Sequence, residues 1–420
     1  MMNMLRFEIK KFFSKITTKV ILTVYLLVIV LLCFMVVDSV RYKDTDGNEL
    51  TGISRAAAGR RLAADENRWK GELTPEKISK IAKNYHELMQ QYQGDYPAVE
   101  YGRTVQSYWD ILYFASEMFT PDYITALEGM NRVAEKDIAH IYDAYADNLK
   151  NMAKEYGTTP EQEKFLEEQY GKIQIPVTYK AFESWDAMTT HAEMHILISV
   201  IVVGFLAAGI FDEEFRNHAE LVFFTAKYGR SKAVVNKIAA GVVTTTIIYW
   251  AGTGIMSLIS FGILGWSGFH TPYQITAPYS FYVITQGRRY FLTMICGYIA
   301  SLLSASVTML VTAKMHTLKA AVVIPFFMYH VLVFIGRPLS EVTSLSCFTP
   351  NVLIEVDRQL RHPHIFQIGN AVFRQVPFVM LLYVAVSIVL LPFLFRSYSG
   401  YDSAKNLRRK SRKHRSVNHK

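Results

Sequence analysis

Cysteine is nearly absent from this chain, and so are the local signatures of catalysis. Only three cysteines, Cys33, Cys296 and Cys347, occur in 420 residues, two of them in apolar runs, so no disulfide framework holds the protein together. The one Gly-Lys pair, Gly171-Lys172, precedes Ile173 and has Leu166 where a phosphate-binding loop begins with Gly, so nothing here cradles a nucleotide. A Gly-x-Ser-x-Gly elbow and a Cys-x-x-Cys pair are missing too. With no internal repeat and no low-complexity tract beyond a basic tail, collagen, coiled-coil rod and disordered chain are excluded. Charge is the largest deficit. Asp, Glu, Lys and Arg make up 19% of the residues, against about 25% in ordinary soluble chains.

What is present is apolar: 51% of the residues, with a mean hydropathy of +0.14. A length of 420 would suit about three soluble domains of roughly 150 residues each. The missing charge, however, is concentrated in runs long enough to cross ~30 Å of hydrocarbon, which takes about 20 apolar residues. The expected fold is an all-α membrane protein with six transmembrane helices and a helical extracytoplasmic domain between spans 1 and 2. The spans are 20–37, 194–211, 238–262, 290–313, 320–335 and 376–395. Lys10, Lys11, Lys15 and Lys19 precede the first, which would suit a signal peptide. No small-x-small cleavage site follows, so an uncleaved anchor is expected.

Charge sets the topology. The fifty residues 238–287 carry no Asp, Glu, Lys or Arg and could hold two spans, but their second half contains His270, Pro272, Gln274, Pro278 and Gln286. With six spans, the cytoplasmic pieces are 1–19, 212–237, 314–319 and 396–420, with a net charge of +15 against −6 for the remainder. A seventh span would place the nine cations of the 396–420 tail outside, against the positive-inside rule. Both termini are therefore expected in the cytoplasm. The tail reads as a retention signal leaning on anionic headgroups of the lipid bilayer, and no nucleic-acid partner is expected.

The insert, 38–190, carries 26 acidic and 18 basic residues and is long enough for its own core. Thr74-Pro75 reads as an N-cap followed by Pro at the first helical position, and Ile78, Ile81, Tyr85, Leu88 and Tyr92 recur on one face. Leu127, Ala134, Ile138, Ile141, Tyr145, Leu149 and Met152 continue that spacing until Gly157. Thr159-Pro160-Glu161-Gln162 is a capping-box sequence, and Gly171 closes its helix. Thirteen of the chain's 25 tyrosines fall here, as a recognition surface or as the wet edge of amphipathic helices.

His191 and His195 share a helix face and could hold a metal, yet Ala192 stands where a zinc protease needs Glu. With His270, His362 and His364 also on the outer side, a metal site is conceivable; interfacial polar residues at the mouth of a span are the favoured explanation. No catalytic, cofactor-binding or metal-ligating residue is assigned. Near absence of charge within the spans counts against ion-coupled transport.

The stretch Phe211-Asp-Glu-Glu-Phe-Arg-Asn-His-Ala-Glu-Leu-Val-Phe-Phe-Thr-Ala-Lys-Tyr-Gly-Arg230, with Lys237 beyond it, resembles the first cytoplasmic loop of bacterial type-2 ATP-binding-cassette (ABC) exporter permeases. There an acidic residue leaves span two, a short amphipathic helix follows, and an Arg after a small residue precedes a Lys at span three. Glu214, Gly229, Arg230 and Lys237 match that order, whereas His218-Ala219 replaces a frequent Gly-Thr pair. The basic amphipathic segment Met4–Thr17, with Leu5, Phe12, Phe13 and Ile16, resembles the family's interfacial helix within 1–19. The outer loop 336–375, with Phe348-Thr-Pro350-Asn351, resembles its re-entrant hairpin.

The resemblance implies a plasma-membrane permease subunit paired with a second permease half and driven by a separate cytoplasmic ABC ATPase. ATP and Mg would bind in that partner, so this chain has no cofactor and is not an enzyme. Glu213, Glu214, Phe215, Phe223, Phe224 and Arg230 are the expected ATPase-coupling residues. In that reading Asp212, Glu213 and Glu214 open a helix over 212–233, with Phe211, Phe215 and Val222 near one stripe. The rival reading is a membrane-anchored sensor or assembly protein whose outer domain binds a ligand without transport; an intramembrane or metal-dependent enzyme is a further rival.

Overall fold

Lys15 divides the N-terminal apolar stretch in two. Its extended backbone separates α1 (Met2–Ser14) from α2 (Ile16–Ser39) in this computed structural model, which describes residues 2–119, 135–331 and 348–401. α1 buries Phe12, as its amphipathic pattern requires, while Ile16 belongs to the next helix and is exposed. α2 is the first of five helices long and apolar enough to cross a membrane. The others are α10 (Glu183–Arg216), α12 (Lys232–Leu264), α13 (Gln286–Met315) and α16 (Gln375–Ser399). At ~1.5 Å per residue the 34 residues of α10 run about 51 Å, well beyond the hydrocarbon thickness. The span expected over 320–335 is represented by α14 (Lys319–Phe326), with Pro325 inside it, and a π-helical turn, Phe327–Val331; its remainder lies outside the described residues. A ring that removes a backbone donor and crowds the preceding turn accounts for the interruption.

α10 and α13 form the centre of the apolar body. A Cβ on Gly204 would lie 2.6 Å from Ser304 Oγ, so only glycine lets the helices approach this closely. Ser304 Oγ then donates to the Val200 carbonyl at 2.7 Å, and Thr308 Oγ1 to that of Gly204 at 2.9 Å. Small residues that admit backbone hydrogen bonds are how apolar helices associate without a hydrophobic drive between them.

The insert comprises α3 (Ala58–Glu66), β1 (Gly71–Glu72), α4 (Pro75–Gln91), α5 (Ala98–Arg103), α6 (Trp109–Phe119), α7 (Glu135–Ile138), α8 (Ile141–Tyr156), α9 (Pro160–Tyr170) and β2 (Thr178–Tyr179). β1 and β2 pair antiparallel, Gly71 opposite Tyr179. Helix dominates, as the capping signals predict. Thr74 Oγ1 accepts from the Lys77 amide and Thr159 Oγ1 from that of Gln162, each with Pro at the first helical position. The box closes one residue early, because Gln162 Oε1 accepts from the Thr158 amide. The helix read continuously up to Met152 breaks at His140, which separates α7 from α8; Leu127 and Ala134 lie outside the described residues.

The tyrosines are largely core. Tyr85, Tyr108, Tyr145, Tyr170 and Tyr179 are buried, and their phenols tie segments together. Tyr142 donates to the Leu73 carbonyl at 2.6 Å, Tyr145 to that of Pro278 and Tyr170 to that of Tyr279 at 3.1 Å. Two of these acceptors lie in 265–285, the stretch judged too polar for a span. It is irregular apart from a 3-10 turn, Tyr273–Ile275, and packs against the insert. Gly268 there has φ +81°, and a Cβ would lie 2.2 Å from the Ala181 carbonyl. The insert therefore shares its core with a loop of the apolar body.

Beyond residue 348 the outer loop folds as a buried 3-10 turn, Pro350–Leu353, then α15 (Val356–Arg361) and a hairpin of β3 (Ile365–Ile368) with β4 (Ala371–Arg374), register Phe366 opposite Phe373. Gly369, φ +61°, and Asn370 make the two-residue turn. The sequence reading overlooked this hairpin, although Gly-Asn between two apolar runs signals one.

Candidate functional site

The six residues expected to couple to a partner do converge, but differently from the helix read over 212–233. Asp212, Glu213 and Glu214 are the last full turn of α10, not the first of a new helix. At a C-terminus the macrodipole disfavours negative charge, so the carboxylates need cations from elsewhere. Three lysines supply them. Glu213 Oε2 accepts from Lys15 Nζ at 2.8 Å and from Lys11 Nζ at 3.0 Å. Glu214 Oε1 accepts from Lys237 Nζ at 2.8 Å, and Glu214 Oε2 from the Tyr398 hydroxyl at 2.6 Å. Lys237 is fully buried, also donates to the Ile210 carbonyl at 3.0 Å and lies 3.7 Å from Glu8. One ionic cluster thus ties α1, α10, α12 and α16 together. Burial lowers the pKa of Lys15 despite Glu213, whereas on Lys11 the hydrogen bond and charge of Glu213 outweigh burial and raise it.

The chain leaves α10 through a left-handed residue. His218 has φ +53°, and the Ala219 amide donates back to the Glu214 carbonyl at 2.8 Å, the six-to-one bond of a Schellman turn. α11 (Glu220–Thr225) follows and folds its aromatics inward. Phe224 is buried, with ring centroids 5.2 Å from Tyr398 and 5.0 Å from Tyr401; Phe215 lies 5.0 Å from Tyr401 and 4.1 Å from the His316 ring. Phe223 sits beneath the Lys237 ammonium, 5.5 Å away. Arg230 donates to the carbonyls of Phe224 at 3.1 Å and Ser399 at 2.8 Å and covers the Phe224 ring. Gly229 permits the fold-back, since a Cβ there would collide with the Phe223 carbonyl.

All six residues therefore make internal contacts: Glu213, Glu214 and Phe224 are buried, Phe215 and Phe223 half-buried, and Arg230, though exposed, is bonded to two backbone carbonyls. Val222 does not join Phe211 and Phe215 on one stripe. It is 75% exposed and Leu221 50%, while Phe211 is fully buried. Val222 and its neighbour Leu221, to which the sequence reading gave no role, form the apolar tip of the turn.

A second ion cluster occupies the opposite end of the helices. Arg289, fully buried in the first turn of α13, donates to Asp186 of α10 at 2.7 Å and to Asp357 of α15 at 2.6 Å, and lies over the Tyr273 ring. Arg361 reaches the other Asp357 oxygen at 3.3 Å. Burial would raise the Asp357 pKa, but the two guanidinium groups hold it below its usual value.

The histidines do not assemble a metal centre among the described residues. His195 Nε2 contacts Thr253 Oγ1 at 2.9 Å inside the helix bundle, and His191 Nδ1 contacts the Ala187 carbonyl. His362 and His364 are neighbours with rings 6.1 Å apart. The described residues do place three carboxylates, Glu66, Asp110 and Glu183, with one oxygen of each within 4.8 Å of the others. Comparisons with protein-family models, curated proteins and solved structures return no match.

Proposed function

We propose that the protein is the membrane-spanning permease subunit of an ATP-driven exporter, that a separate cytoplasmic ATPase docks on the turn between α10 and α12, and that a second permease half completes the pore. In this reading the termini are cytoplasmic and the insert lies outside the plasma membrane. The observation that carries it is the mechanical state of the turn. The end of α10 that leads into it is fixed by ion pairs to Lys11, Lys15 and Lys237 and by a hydrogen bond from Tyr398, yet the tip of the turn presents two exposed aliphatic side chains. A rigid connector with an apolar tip passes movement from a docked partner into α10 and α12 instead of absorbing it. His218 adds support, because it holds the left-handed position for which glycine is the usual residue, which reconciles the departure from the family's Gly-Thr pair.

Reversing Glu214 to Lys, or truncating Phe224, would damage the internal cluster and confuse folding with docking. Leu221→Ser combined with Val222→Ser leaves that cluster intact. Co-purification of a candidate ABC ATPase co-expressed with this chain, with transport-linked ATP hydrolysis, should drop at least tenfold while the membrane subunit stays at its normal level. Loss of an apolar anchor at an interface centre commonly costs about 2 kcal/mol or more. Unchanged co-purification and hydrolysis would reduce the turn to a connector.

A further inference from the structure

The carboxylate trio in the insert comes from three separate segments. Glu66 ends α3, Asp110 lies in the first turn of α6, and Glu183 is the first residue of α10. Helix N-termini favour the charges of Asp110 and Glu183; Glu66 sits at a C-terminus, where its charge is disfavoured. Glu66 is also 3% exposed, and its Oε2 has no hydrogen-bond partner. No Lys, Arg or His forms an ion pair with any of the three among the described residues; the nearby Asp65 and Asp186 are paired with Arg68 and Arg289. Glu214 and Asp357, by contrast, each meet a lysine or arginine. Tyr179 brings a fourth oxygen, its hydroxyl 3.5 Å from Asp110 Oδ2. Buried charge of one sign needs a counter-charge or a proton.

We infer that Glu66, Asp110 and Glu183 form a divalent-cation site that pins α3 and α6 to the start of α10, and that its ion is calcium. The donors are all oxygens, the ligand chemistry of hard cations, with none of the nitrogen or sulfur that zinc and copper prefer. Oxygens 2.3–2.6 Å from Ca²⁺ stand up to about 5 Å apart, so a set within 4.8 Å fits around one ion. A cation here would connect the insert's first helix to a membrane-spanning helix, so ion occupancy would set how firmly the two move together. The inference does not depend on the exporter reading, since it concerns ion binding alone.

The test uses the purified full-length chain in detergent, stripped with a chelator at pH 7.5. Tb³⁺ is the probe, because Trp109 adjoins Asp110 and Trp185 lies two residues from Glu183, so excitation of tryptophan should sensitise its emission. We expect saturable emission from one ion per chain, displaced by Ca²⁺ at about 0.1–1 mM, the range of extracellular modules, and at least tenfold less readily by Mg²⁺. Ca²⁺ should also raise the unfolding temperature. Glu66→Gln and Asp110→Asn, read separately, should each weaken displacement and the thermal shift at least tenfold. If one variant fails to fold, the other carries the test. Absence of saturable emission, or emission and thermal shift unchanged in both variants, would overturn the site. Equal displacement by Mg²⁺ would overturn calcium as its ion. Variants as stable without metal as the wild type with Ca²⁺, and insensitive to it in a chain that itself shows no Ca²⁺ shift, would mean a proton-sharing cluster instead.

Discussion

Lys237 is the residue on which the terminal ion cluster depends. Its ammonium is fully buried and offsets Glu214, which otherwise has Tyr398 and a lysine 3.7 Å away. Removing one partner of such a pair strands a buried charge and costs about 3–5 kcal/mol, whereas removing both is far milder. Lys237→Met should lower stability by about that amount in reversible denaturation, and adding Glu214→Gln should recover more than half of the loss. Asp357 allows a pH test. Its native pKa lies below 3.8, so its pairing stabilises the protein fully above that value and is lost as pH falls through the native one. The unfolding temperatures of wild type and Asp357→Asn should differ by a constant amount from pH 7 to about 5 and converge only below about 4. Convergence at neutral pH would mean that the Arg289 cluster contributes nothing. Neither network was legible in the sequence. Glu214 and Lys237 were recognised through their order, but order does not reveal that a carboxylate ends one helix instead of beginning another. Arg289, one residue before the span read over 290–313, drew no reading at all.

At the scale of elements the sequence was most informative where local physics decides. Thr74-Pro75 and Thr159-Pro160 start helices because cap and ring act within four residues, and apolar runs become long helices because little else satisfies their backbones. Long-range pairing escaped notice. Nothing local says that Tyr145 of the insert donates to Pro278, or that Glu66, Asp110 and Glu183 meet. The break at His140 was missed because periodicity continues across it. Helix pairing in the body makes its own prediction. Gly204→Val would push a branched side chain into Ser304 and Pro325, displacing the Ser304 and Thr308 hydrogen bonds to α10. Overpacking of this kind costs about 1–3 kcal/mol. The isosteric Thr308→Val removes one interhelical bond alone and should cost about 0.6 kcal/mol. A Gly204→Val protein as stable as Thr308→Val would mean that α10 and α13 are not in close contact.

For the whole molecule the decisive property is which end faces which solution. The five long helices separate an acidic insert from an end that gathers α1, the turn after α10 and the residues up to Tyr401. Arg6, Lys10, Lys227 and Lys232 crowd that second end, and nine more cations follow in 396–420. Cations flanking spans are retained on the cytoplasmic side because moving each against the membrane potential costs about 2.3 kcal/mol per 100 mV. The insert carries a net −8 over 38–190 and meets no such barrier. The orientation can be read with single cysteines in a chain whose three native ones are replaced; Cys33 and Cys296 are buried. Ile53, 97% exposed in the insert, and Val222, 75% exposed on the turn, are the reporters. A membrane-impermeant maleimide should label Ile53→Cys in intact cells and Val222→Cys only after permeabilisation. Labelling of Val222→Cys in intact cells would turn the docking surface away from ATP and end the exporter reading. If Ile53→Cys and Val222→Cys both required permeabilisation, the two ends would share one side of the membrane, and the span count between them would be even instead of odd.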